Sequence, residues 1–191
     1  MTRRMLLGLF IIIIINSCTS PLVKEPSNNK EIINIYNIEW LSDYVFSLKF
    51  NEVSRDSILR SNFIITKNVE EDEGVEWKSY SFRKNNKVVV RVENNWEDSM
   101  IVSRITFLGK DFVLNNGVTI TTDFLTVKNN INLNNLNQSM DGELSLWDKT
   151  DKRIRYEYDV RNNKELYYGI KKIKDVPDTL KMESIVVHNI R

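Results

Sequence analysis

The chain has no alanine, a single cysteine, a single histidine, one glutamine and only three prolines among its 191 residues, and each scarcity excludes something. Alanine is the best intrinsic helix former, whereas the abundant Ile and Val favour strands, so the composition leans toward β structure. One cysteine excludes a disulfide within the chain. One histidine, His188, with no second His or Cys to accompany it, falls short of the three or four ligands that zinc usually takes. It also lacks the positioned partners of a catalytic base, so it reads as an exposed or edge residue.

Charge of one sign is not in surplus either, with 27 Lys and Arg against 26 Asp and Glu. Nucleic-acid binding rests on clustered cations neutralising phosphates, and with no surplus of positive charge nucleic acid is not an expected partner. No Gly-x-Ser-x-Gly, Gly-rich phosphate loop, dinucleotide fingerprint or His-Glu-x-x-His is present. Long apolar runs are missing as well. The longest, Met5 to Ile15, would rise roughly 16 Å as a helix, far short of a hydrocarbon core of about 30 Å.

What is there begins with Arg3 and Arg4 before that apolar run, and Asn16, Ser17 and Cys18 after it. A positive start, an apolar centre and a polar, small-residue end make the pattern of a secretory signal peptide, residues 1–17. The residues Ile15, Asn16, Ser17 and Cys18 resemble the lipobox of bacterial lipoproteins. That resemblance implies that Cys18 is lipidated and becomes the first residue of a mature chain held to a membrane. Thr19 is not the aspartate that retains such proteins in the inner membrane of enteric bacteria, which by the same resemblance favours the outer membrane. Residues 18–30 carry two prolines and no hydrophobic period, and are expected to be a flexible tether.

Beyond the tether, short apolar or alternating runs recur: 32–40, 44–50, 62–66, 77–83, 87–92, 100–107, 112–114 and 118–127. In the second, Tyr44, Phe46, Leu48 and Phe50 alternate with polar or smaller residues, the period of a half-buried strand. Asn85-Asn86 and Asn116-Gly117 suit tight primed turns, and Glu70 to Gly74 reads as a solvated acidic loop. Seven or eight short strands in about a hundred residues predict an antiparallel sandwich. Tyr44 to Glu52, Asn62 to Ile65, the Asn85-Asn86 hairpin, the Leu108 to Asp111 turn and Phe124 to Thr126 resemble the bacterial immunoglobulin-like domain of surface-anchored proteins. The resemblance implies an all-β, immunoglobulin-like sandwich over residues 31–127, used as a stalk, spacer or binding module. The Asn-rich residues 128–140 are expected to be a linker. Residues 141–191 are expected to form a smaller β-rich segment packed on the sandwich, with strands near 143–147, 153–158, 166–173 and 181–187.

Trp96 is the candidate binding residue, a large aromatic in the polar neighbourhood Glu93 to Asp98; Trp40, Trp77 and Trp147 lie in strand-like runs and are expected in the core. No catalytic residue, metal ligand or cofactor is expected. The leading expectation is a non-catalytic envelope lipoprotein, attached to the membrane through Cys18 and contacting an envelope or host protein. The alternatives are a hydrolase using carboxylates alone on envelope or host polysaccharide, and an envelope assembly accessory that pairs along an edge strand.

Overall fold

The computed structural model describes residues 34–138, 143–161 and 173–190. The expected signal peptide, Cys18, the expected tether and most of the 166–173 run lie outside the described residues. Helices come first in the described chain. The Asn37 side chain accepts from the Trp40 N–H at 2.7 Å and caps α1 (Ile38–Ser47), whose buried residues Ile38, Leu41, Ser42, Val45 and Phe46 form one stripe at helical spacing. Next come α2 (Phe50–Val53) and α3 (Ser57–Asn62); Asp56 caps α3 by accepting from the Leu59 N–H at 2.9 Å. The second Asp56 oxygen accepts from the Tyr44 hydroxyl at 2.7 Å, tying α1 to α3. Burial and this bond push the Tyr44 hydroxyl up to about 12. Tyr44 and Phe46 are therefore helical, not the inward face of a strand, and Phe50 opens α2. Alternation over seven residues competes with a helical stripe that starts six residues earlier behind a cap, and the longer pattern wins.

Among the described residues the strands are β1 (Ile64–Asp72), β2 (Val75–Lys84), β3 (Lys87–Asn94), β4 (Val102–Phe107), β5 (Ile131–Gln138), β6 (Glu143–Asp148), β7 (Ile154–Asp159) and β8 (Ser184–His188). They form one eight-stranded sheet in the order β1-β2-β3-β4-β8-β7-β6-β5, antiparallel at every pairing. The all-β, antiparallel expectation is met by a mostly β chain, one antiparallel sheet with a few short helices. Residues 184–188 join the earlier strands edge to edge, because β8 inserts between β4 and β7. The described residues thus belong to one compact body. The Asn-rich stretch expected as a linker contributes β5, paired to β6, since backbone hydrogen bonding does not require apolar side chains.

Two hairpins turn as their residues dictate. Asn85 and Asn86 adopt φ of 50° and 61°, the primed turn that asparagine tolerates. Glu73 and Gly74, at 48° and 80°, do the same at the other end of β2, so Glu70, Glu71 and Asp72 extend β1 rather than a loop. In the 112–127 region, Val113 makes one bridge to Asn37 and α4 (Phe124–Val127) ends a stretch expected as strand.

Strand alternation sorts the sheet into two faces. One is apolar: Tyr80 and Phe82 of β2, Val90 and Val92 of β3, Ile105 and Phe107 of β4, with Leu144, Leu146, Tyr156, Tyr158, Ile185 and Val187 beyond. The layer packed on it is built by the helices and the 112–127 segment. Phe50 stacks on Tyr80 at 4.6 Å, Phe63 on Phe82 at 5.4 Å, and Phe112 and Phe124 meet Phe107 and Tyr158 edge-on at 5.2 and 5.9 Å. Gly109 sits so close to this layer that a Cβ would lie 3.0 Å from the Phe112 ring and from Val89.

Candidate binding cleft

The opposite face of the sheet is polar, yet much of it is buried. Ser79, Ser81, Glu93, Ser145 and Ser184 are all inaccessible or nearly so, and buried polar groups demand partners. Three of the serines show theirs: Ser79 Oγ donates to Glu70 at 2.7 Å, Asn68 donates to Ser81 at 2.8 Å, and Ser184 donates to Glu157 at 2.6 Å. Arg155 pairs with Glu157 one position-pair along β7.

At the Gly74 end this face opens into a cleft of about 290 Å³ lined by Val75, Trp77, Glu93, Asn94, Trp96, Ser103, Arg104 and His188. Four strands contribute. A register shift at Glu93/Asn94 against β4 ends the regular ladder there, and such irregularities re-aim the chain that follows. The loop 95–101 is then held by Asn95, whose N–H donates to the Ile101 carbonyl and whose side chain accepts from the Glu97 N–H at 2.7 Å. Trp96 stands on this loop with 73% of its surface exposed.

Glu93, 4% exposed, is the charge at the cleft floor. Its Oε1 accepts from the Trp77 indole at 2.9 Å and from Arg104 Nη2 at 2.8 Å, and its Oε2 accepts from Arg104 Nε. Burial alone pushes its pKa up, but the Arg104 guanidinium outweighs burial and holds the carboxyl below its usual range. His188 pairs with Arg104 across β4 and β8, faces Trp147 at 5.2 Å, and leaves its buried Nε2 without a hydrogen-bond partner among the described residues. Burial, then the nearby Arg155 and Arg104 guanidiniums, pushes it down to about 4, so the imidazole is neutral at ordinary pH. Arg155 in turn lies over the Trp147 ring at 5.7 Å.

Trp96, singled out from the sequence, thus stands at the cleft. Trp77 and Trp147, expected in the core, are half-buried on the polar face, and Trp40 is half-buried against Tyr44 at 5.2 Å. His188 is neither exposed nor at an edge, because β8 is central. Sequence reading missed Trp77, Glu93 and Arg104 as a group. The only signal available was polar alternation within β2, β3 and β4, which does not say which strands will be neighbours. Among the described residues no group of three or more His, Cys, Asp and Glu side chains is placed to hold a metal ion, and no helix is long and apolar enough to cross a membrane.

No protein-family model matches the chain. No curated protein matches it in sequence either. Among solved structures, the crystal structure of the uncharacterized protein yfeY from Escherichia coli is similar, with a TM-score of 0.55 and 16% sequence identity over 69% of this chain and 86% of that one. At that identity the likeness speaks for the β-rich fold alone.

Proposed function

We propose that the protein is a lipid-anchored envelope lipoprotein that works by contact, presenting the cleft between the Gly74 turn and the 95–101 loop to a partner in the envelope or on a host. The observation that carries this reading is the exposed Trp96 beside the half-buried Trp77 on a cleft whose charges are already paired. Large aromatic faces over a desolvated, hydrogen-bonded floor are how contact surfaces concentrate binding energy. Glu93 is held ionised by Arg104, which suits it to bonding and not to donating a proton. The lipobox resemblance around Cys18 supports the anchor.

The acid-only hydrolase has one observation in its favour. Glu183 has its pKa raised, by burial first and then by Asp159, as a general acid would need. Arg161, which lies 3.6 Å from Glu183 and 2.8 Å from Asp159, opposes that shift, and the contact reading is preferred.

The test compares the full chain with its Trp96→Ala variant as bait in a native envelope extract. Trp96 packs on little, so the variant should keep the same circular dichroism spectrum and melting temperature while losing its specific partner. Undiminished capture, or polysaccharide turnover that disappears in Glu183→Gln, would overturn the contact reading.

A further inference from the structure

Charge in the β1–β4 half is sorted along the strands. Antiparallel pairing puts the Gly74 turn and the 95–101 loop at one end, and the Asn85–Asn86 turn, the start of β1 and the 108–111 segment at the other. The first end carries Glu70, Glu71, Asp72, Glu73 and Glu76 beside Lys78. The second carries Arg60, Arg83, Lys84, Lys87 and Lys110, with Asp111 as the one acid among the described residues that line the hollows there. The chain as a whole has a formal charge of only +1, so this is segregation and not surplus.

The basic end is also shaped. A hollow of about 530 Å³ has Lys84, Lys87 and Lys110 around an apolar floor that includes Val88, Val89 and Leu108. A second of about 250 Å³ shares Lys84 with it and sets Arg60 and Arg83 beside Ile64, which is 63% exposed. Cations around exposed apolar surface suit a partner that is anionic at its surface and hydrocarbon beneath. Position supplies the second argument. The Lys84 ammonium donates to the Tyr36 hydroxyl and lies 4.4 Å over its ring, so the described chain enters at this end. Cys18 is sixteen positions upstream of Asn34, and sixteen residues span at most about 55 Å whatever their conformation.

We propose that the Asn85 end of the β1–β4 half docks on anionic lipid headgroups of the bilayer that holds Cys18, so that the domain stands on the membrane with its cleft turned away. This rests on the anchored reading. Cations near an anionic leaflet each strengthen association several-fold, an effect that fades beyond a Debye length.

The full chain, purified in detergent and reconstituted into phosphatidylcholine vesicles with or without about one third phosphatidylglycerol, provides the test. Amide exchange at residues 83–88 and 108–111 should slow several-fold only on the anionic vesicles, and recover at about 1 M salt, where the Debye length is about 3 Å. Lys87→Gln with Lys110→Gln leaves the Lys84–Tyr36 contact intact and should remove most of the protection; adding Lys84→Gln should remove the rest. Equal exchange on both vesicles, protection that survives all three substitutions, or the same protection from inorganic phosphate on neutral vesicles would overturn the proposal. The mass of the purified chain reports separately on the anchor: a chain without acyl groups overturns the anchored reading, whereas an acylated chain with no anionic-lipid dependence overturns the docking proposal alone.

Discussion

Arg104 meets Glu93 across neighbouring strands with both ends of a fork, Nη2 at 2.8 Å from Oε1 and Nε on Oε2, while the Trp77 indole takes the remaining site on Oε1. The floor of the cleft is therefore a closed set of bonds. Removing Arg104 leaves the buried Glu93 carboxylate without its ion-pair partner, which costs more than the intact pair gains.

Arg104→Ala should accordingly destabilise the protein by about 2–3 kcal/mol. This is below the 3–5 kcal/mol of wholly buried pairs, because the Arg104 side chain is 38% exposed. Adding Glu93→Gln to Arg104→Ala should recover part of the loss, since a neutral amide needs no counter-ion. Thermal melts of the two variants decide this; a double variant no more stable than Arg104→Ala alone would contradict it.

His188 should make stability depend on pH in the mildly acidic range. Its folded pKa is depressed to about 4 from 6.5, so the unfolded chain binds a proton that the folded one does not. Stability from this group is complete above about pH 6.5 and declines as the pH falls toward 4. Urea midpoints measured at pH 7.5, 6, 5 and 4.5 should fall more steeply for the native chain than for His188→Gln. Parallel curves would count against a buried neutral imidazole.

Tyr156 donates its hydroxyl to Asp148 Oδ2 at 2.6 Å in full burial, while Asp148 Oδ1 accepts from the Thr150 and Asp151 N–H groups of the following turn. Tyr156→Phe keeps the ring and orphans a carboxylate oxygen, a loss of about 1–3 kcal/mol. Tyr44→Phe, at a partly exposed Asp56 that keeps its capping bond to Leu59, should cost less. Denaturant unfolding of the two variants gives the ranking, and the reverse order would show that burial is not what sets the cost.

Cys18→Ala should leave the protein unacylated and release it from the detergent phase, because stable anchoring needs two or more acyl chains at about 0.8 kcal/mol per buried CH₂. Phase partitioning and intact mass measure this together. An unchanged mass and unchanged partitioning would end the lipoprotein reading.

What the sequence determined by itself is local. The Asn85–Asn86 turn follows from residues that tolerate positive φ, and β2, β3, β4, β6 and β7 follow from alternating or apolar runs bounded by turn formers, so the all-β antiparallel class was legible without a structure. Trp96 was legible as an exposed aromatic because its neighbours in the chain are polar. The remainder depends on which segments become neighbours. Residues 44–50 carry an alternation that also fits a helix, and the choice went to α1 because its stripe has an apolar sheet face to cover. The stretch 131–138 has few apolar side chains to announce a strand, and becomes β5 because β6 leaves an edge of unpaired N–H and C=O groups beside it. His188 looked terminal and bland. Only the insertion of β8 between β4 and β7 sets it against Arg104 and Trp147, and only the order of β2, β3 and β4 joins Trp77, Glu93 and Arg104 into one floor. Turns and alternation are short-range backbone chemistry; a cleft made of four strands is a property of their lateral order, which long-range packing and hydrogen bonding decide.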